Sequence, residues 1–300
     1  MNEFFKAALT HEWLIKYATE FIATALMVLI GNGSVANVEL KGTKGYKSGW
    51  LVIGFGYGVA VMLPALMFGS VSGNHINPAF TIGMAVSGAF KWTYVPGYLI
   101  AQLLGAMFGQ ALIVLGHAAF YQKTEDPNAI LGSFATIDAL DDGTEESRRP
   151  ATINGFINEF IGTFVLVFGA LALTKNFIGS DSLREMAQQL GNNASVSDVV
   201  SMFKQQSPVF PLTYSGSLAV AHMGLGFLVL VLVISLGGPT GPALNPARDL
   251  MPRLLHHLLP ETVLGEHKGD SKWWYAWVPV VAPILAGIVA VAAFNALYSL

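Results

Sequence analysis

Apolar residues run along this chain in eight blocks, six long and two short. The long blocks lie at about 14–37, 49–68, within 94–121, and at about 153–174, 214–236 and 274–298. One bilayer crossing needs about 20 predominantly apolar residues as a helix, and each long block supplies one. Residues 48–90 contain no Asp, Glu, Lys or Arg, and neither do residues 205–247. Each of these runs is too long for a single crossing. Each therefore holds a full helix, a re-entrant loop and the start or whole of a short helix. The short blocks, 76–90 and 244–259, both follow a Gly-rich stretch and open with Asn-Pro-Ala. Asn is a strong helix cap, and Pro is favoured at the first helical position. Both blocks read as half-helices that begin inside the membrane. Irregular backbone at that depth is tolerated only where protein buries it or it lines a watery cavity.

Other features agree with this reading. Trp50, Trp92, Trp273, Trp274 and Trp277 fall near the block ends, where interfacial anchors belong. Ser34 and Ala36 resemble a signal-peptide cleavage site, but Glu20 falls where an apolar signal core would lie. The first block is thus read as a span. Six crossings place both termini on one side. The expected fold class is an all-α membrane protein, one transmembrane domain over 1–300.

Composition narrows the function. Only 12% of residues are charged, and mean hydropathy is +0.53. Soluble domains average about 25% charged residues, so a disordered chain is excluded and a soluble globule nearly so. A net charge of -3 gives no basic footprint for nucleic acid. The chain has no cysteine, which removes disulfides, Cys-based metal sites and thiol catalysis. No Gly-x-Ser-x-Gly or His-Glu-x-x-His pattern is present, so an intramembrane enzyme finds no support, and no metal or cofactor is expected.

An internal repeat organises the blocks. Glu20-Phe21-Ile22-Ala23-Thr24 recurs as Glu159-Phe160-Ile161-Gly162-Thr163. Gly73-Asn74-His75-Ile76-Asn77-Pro78-Ala79 recurs as Gly241-Pro242-Ala243-Leu244-Asn245-Pro246-Ala247. The repeats span 12–122 and 151–298. Three crossings per repeat force the second to insert upside down. Inverted repeats with broken helices meeting at the midplane mark a solute path.

With these motifs the chain resembles the major intrinsic protein family, the aquaporins and aquaglyceroporins, over residues 12–298. The resemblance implies an hourglass fold, a homotetramer with one pore per subunit, and cytoplasmic termini in the plasma membrane. Charge does not add to the orientation: Lys and Arg divide six to eight between the proposed inner and outer connections.

By this resemblance Asn77 and Asn245 meet at the pore centre, and Arg248 anchors the selectivity filter. Spacing from the motifs carries the other filter positions to Tyr57, Val233 and Pro242. Water-selective members resemble one another in Phe, His and a small residue there, and glycerol facilitators in Trp, Gly and Phe. This chain matches neither set fully. Asp249, Arg253 and Pro279 resemble the glycerol-conducting branch. Asp249 and Arg253, at i and i+4, are placed to pair with each other. Gly73, Asn74, His75, Gly241, Pro242 and Ala243 are expected as extended residues whose carbonyls line the path. His75 is expected to hold its loop by hydrogen bonding, with protonation gating as the alternative. Glu20 and Glu159 are expected to brace the re-entrant backbone, and Gly105 and Gly109 to permit close helix contact.

The implied function is a passive channel for glycerol, water and similar neutral solutes. The competing class is a proton-coupled secondary transporter, which would use Glu20 or Glu159. No order emerges among glycerol, water, urea, dihydroxyacetone, hydrogen peroxide and protonated lactic acid. The acidic connection 122–152 is expected as a solvated outer loop. Residues 177–213 form an insertion with a capping box at Ser182 and Glu185 and a second short helix near 196–203, serving as a lid or as a passive platform.

Overall fold

A computed structural model of the chain describes residues 8–178 and 210–298. Ten α-helices are described: α1 (His11–Glu39), α2 (Trp50–Ser72), α3 (Pro78–Val86), α4 (Val95–Tyr121), α5 (Pro127–Gly132), α6 (Glu145–Ile178), α7 (Phe210–Leu236), α8 (Pro246–Leu258), α9 (Glu261–Leu264) and α10 (Val278–Tyr298). Six of them, α1, α2, α4, α6, α7 and α10, are long and apolar enough to cross a membrane.

The helices start and stop for local reasons. α2 runs four residues past the expected end, to Ser72, where Gly73 (φ 83°) turns the chain and donates its N–H to Gly69 O at 3.1 Å. That left-handed conformation is open to glycine without a Cβ clash. α3 and α8 begin at the two Pro residues, capped by Asn77 and Asn245. α6 begins at Glu145, earlier than the apolar block, because its first turns are polar and stand outside the apolar stretch. The insertion is shorter than expected, since α6 extends to Ile178 and α7 starts at Phe210. Its capping box at Ser182 and Glu185 and the helix near 196–203 lie outside the described residues.

Packing follows the repeat. α1 lies against α4 and α2, and the matching α6 lies against α10 and α7. α2 meets its counterpart α7 directly. Each half-helix crosses over: α3 packs on α10, and α8 packs on α4. Neither repeat can thus close a core without the other. The α1–α4 crossing is close because a Cβ at Gly105 or Gly109 would strike the carbonyl oxygen of Phe21 or Ala25. At the α3–α10 crossing a Cβ at Gly83 would lie 2.9 Å from Gly287 O.

The connection 122–152 departs from expectation. Its middle is buried rather than solvated. Ile130, Leu131, Phe134 and Ala135 join the core of Val28, Ile113 and Leu264. Their apolar side chains gain more by leaving water than the loop gains by solvation. Glu125, Asp126, Glu145 and Glu146 remain exposed. The Asp141 side chain is buried against Lys272, and Asp138 goes further. It is fully buried, accepts from Leu140 N at 2.9 Å and Asn154 Nδ2 at 2.7 Å, and burial raises its carboxyl above the usual range.

Candidate functional site

The two re-entrant segments are built alike. Glu20 on α1 is fully buried. It accepts from Ser72 Oγ at 2.7 Å, His75 N at 2.9 Å, Ile76 N at 2.7 Å and Gln102 Nε2 at 2.9 Å. Glu159 on α6 accepts from Thr240 Oγ1 at 3.0 Å, Ala243 N at 2.9 Å and Leu244 N at 2.8 Å. A buried carboxylate is tolerable only with such donors, and hydrogen bonds to an ionised oxygen are the strong ones. They hold backbone that is not at rest. Ile76 (φ 43°) and Leu244 (φ 51°) both adopt the left-handed conformation. For a β-branched Ile this is an outlier, and such a residue costs about 1–3 kcal/mol. Gly73, Asn74 and Gly241 also have positive φ, so the expectation of extended backbone is corrected there. The chain must fold back sharply to begin a helix at half depth.

The strained pair makes the junction. Asn77 Nδ2 donates to Leu244 O at 2.8 Å, and Asn245 Nδ2 donates to Ile76 O at 2.7 Å. Each amide thus bonds the residue that precedes the other Asn. Each Oδ1 caps its own helix: Ala79 N to Asn77 at 2.9 Å, Ala247 N to Asn245 at 3.0 Å. The capping bond fixes the amide's orientation and leaves each Nδ2 a second N–H, since an amide carries two. Both Asn side chains line a cavity of about 130 Å3, together with Gly73, Asn74, His75 and Ala243. Capping and cavity lining coexist in the same residue.

A second cavity of about 250 Å3 lies beside it, against Trp50, Asp126, Thr136, Thr240 and Gly241. Four side chains line both cavities: Tyr57, Val233, Pro242 and Arg248. They form the boundary between the two spaces. Arg248 is 2% exposed. Its Nη2 donates to Tyr57 Oη at 2.5 Å, and its guanidinium carbon lies 5.2 Å from the Tyr57 ring centroid. Nε and Nη1 of Arg248 have no hydrogen-bond partner among the described residues. Val233 is held through its backbone, whose carbonyl accepts from Trp50 Nε1 at 2.8 Å.

Asp249 turns away from Arg248 and pairs with Arg253, Nε to Oδ1 at 2.9 Å, with both side chains fully buried. Asp249 Oδ2 also accepts from Thr136 N at 2.6 Å and Thr136 Oγ1 at 2.7 Å. The pair thereby ties α8 to the buried connection that roofs the second cavity. His75 bonds Thr81 Oγ1 through Nδ1 at 3.1 Å and packs among Phe80, Phe90 and Tyr98.

Sequence reading did not single out Ile76 or Leu244 as acceptors, nor Asn32, Gln110 and Thr136. The signal for the first pair was their position before each Asn-Pro-Ala. For Asn32 and Gln110 it was a side-chain amide within an apolar span, where polar groups are costly and usually purposeful.

The family model of the major intrinsic protein matches residues 8–202 and 211–294. The glycerol facilitator-aquaporin gla of Lactococcus lactis subsp. cremoris is 57% identical over 289 residues, covering 95% of this chain and 98% of that protein. The glycerol uptake facilitator protein-like 5 of Lactiplantibacillus plantarum is 43% identical over 298 residues, covering 97% and 100%. Among solved structures, that of the aquaglyceroporin from Plasmodium falciparum superposes with a TM-score of 0.66 at 24% identity, covering 94% of this chain and 95% of that one. That likeness is one of fold. With the matched segments spanning most of the chain, this protein belongs to the major intrinsic protein family.

Proposed function

We propose that the chain is a passive channel for glycerol, water and other small uncharged solutes, and that it excludes protons and ions. The observation that carries this reading is the boundary of Tyr57, Val233, Pro242 and Arg248 between two cavities. A solute moving from one space to the other passes these four side chains, which act as the filter. The guanidinium supplies donors on one side, while Val233, Pro242 and the Tyr57 ring supply apolar surface. Glycerol has a hydroxyl edge and a carbon edge and suits such a wall. The names of the relatives, glycerol facilitators, favour the same solute.

In this reading the free N–H groups of Asn77 and Asn245 hold the passing oxygen. The N-termini of α3 and α8 bring positive potential to the same point. A water held there points its hydrogens outward in both directions. No continuous proton wire can form, and cations are repelled. The carbonyls of Gly73, Asn74, His75, Gly241 and Ala243 offer acceptors along the path, and Glu20, Glu159 and Asp249 are structural. Proton coupling would need a carboxylate free to load and release a proton. The four donors on Glu20 and three on Glu159 favour the channel reading instead. The channel performs no chemistry on its solute. Family resemblance supports a homotetramer in the plasma membrane with cytoplasmic termini, which puts the second cavity at the outer mouth.

The test is stopped-flow light scattering on proteoliposomes under glycerol and water gradients, with and without a protonophore. Downhill flux that is indifferent to the protonophore is expected. Accumulation of glycerol against its gradient would overturn the channel reading.

A further inference from the structure

A chain of buried amides runs from the roof of the second cavity to the filter. Gln110 Nε2 on α4 donates to Ser133 O at 3.2 Å. Asn32 Nδ2 on α1 donates to Gln110 Oε1 at 2.8 Å and to Phe134 O at 2.9 Å. Tyr57 Oη donates to Asn32 Oδ1 at 2.6 Å, and Arg248 Nη2 donates to Tyr57 Oη at 2.5 Å. Asn32 and Gln110 are fully buried.

The direction of this chain is forced. Backbone carbonyls only accept, so Ser133 O and Phe134 O require the amide nitrogens of Gln110 and Asn32 to face them. Both N–H groups of Asn32 are then spent on oxygen atoms, and its Oδ1 is left to accept. The Tyr57 proton has one place to go, toward Asn32. The phenol oxygen therefore presents only lone pairs to Arg248. It takes one of the guanidinium's five N–H groups and adds no donor of its own to the pathway.

We propose that Asn32, supported by Gln110, is a positioning residue for solute selection. It keeps the Tyr57 hydroxyl an acceptor and, through it, pins the guanidinium of Arg248 against α2. The inference rests on the reading of Tyr57, Val233, Pro242 and Arg248 as the filter. Without Asn32 the Tyr57 proton turns into the pathway, and the guanidinium loses its fixed partner.

The experiment measures the ratio of glycerol to water permeability in proteoliposomes. Once the flux of protein-free liposomes is subtracted, the ratio does not depend on how much channel has assembled, so a loss of yield leaves it unmoved. Tyr57→Phe is expected to raise the ratio about threefold, the scale of one hydrogen bond. Asn32→Leu is expected to move it in the same direction by about twofold, and to add nothing in the Tyr57→Phe background. Asn32→Val, smaller and likewise without a polar group, serves if the Leu variant does not assemble, with the same expectation. A ratio unchanged by either Asn32 variant, or shifts that add to that of Tyr57→Phe, would overturn the positioning role. Arg248→Ala separates this from the filter itself: if that variant also keeps the wild-type ratio, the filter assignment has failed.

Discussion

In the proposed pathway the junction and the filter are built on opposite plans. At the junction everything comes in pairs. Asn77 answers Asn245, Ile76 O answers Leu244 O, and Glu20 answers Glu159, with crossing bonds of 2.8 and 2.7 Å. At the boundary between the cavities nothing is paired. Arg248 has no counterpart, since Phe80 follows the first Asn-Pro-Ala. On the proposed function, a barrier to protons must work equally in both directions, and two like half-helices suit it. Choosing between solutes needs a donor side and an apolar side, so the repeat has to be broken there.

The contrast can be broken from either side. The largest effect is expected from Glu20→Leu or Glu159→Leu. Each orphans several buried donors at about 1–3 kcal/mol apiece, against a total stability of about 5–15 kcal/mol. The yield of assembled channel in detergent should collapse for both, as paired supports require. A variant that assembles normally would show that the carboxylate is dispensable.

Next comes Arg248→Ala. A fixed charge in a narrow site is worth about 2–4 kcal/mol, so cation leak in planar bilayers should rise on the order of a hundredfold. The solute profile should widen while assembly is kept. An unchanged ion leak would leave cation exclusion to the junction alone.

Val233→His adds bulk and a donor opposite Tyr57. Glycerol flux should fall about tenfold more than water flux, the scale of a small change of pocket volume. Equal loss of both fluxes would mean that the substitution damages the fold instead of the filter. The smallest effect is a null one. With no cysteine in the chain, mercuric chloride should leave both fluxes as they were. Reductant-reversible block would show a metal-sensitive group other than a thiol in the path.

Much of this was legible from particular residues. The charge-free runs 48–90 and 205–247 located two spans and both re-entrant segments, because a membrane admits few charges. The duplicated Asn-Pro-Ala placed α3 and α8 to within two residues at their starts, because capping is a local matter between neighbours in sequence. Gly105 and Gly109 announced a close crossing, which the α1–α4 contact contains. The burial of the connection 122–152 is hidden in the sequence by its many acidic residues. Whether Ile130 and Phe134 find a core depends on α4 and also on α1 and α9, which lie far away in the chain.

Hydropathy and local backbone preference thus set the spans, the half-helices and the residue types at their tips. Tertiary structure alone decided the rest. It folded Ile76 and Leu244 into strained conformations so that each faces the other repeat's Asn. It also aligned Ser133, Gln110, Asn32, Tyr57 and Arg248 into one directed chain. A hydrogen bond joins groups about 3 Å apart in space, however many residues separate them in sequence, and only the packed helices set that distance.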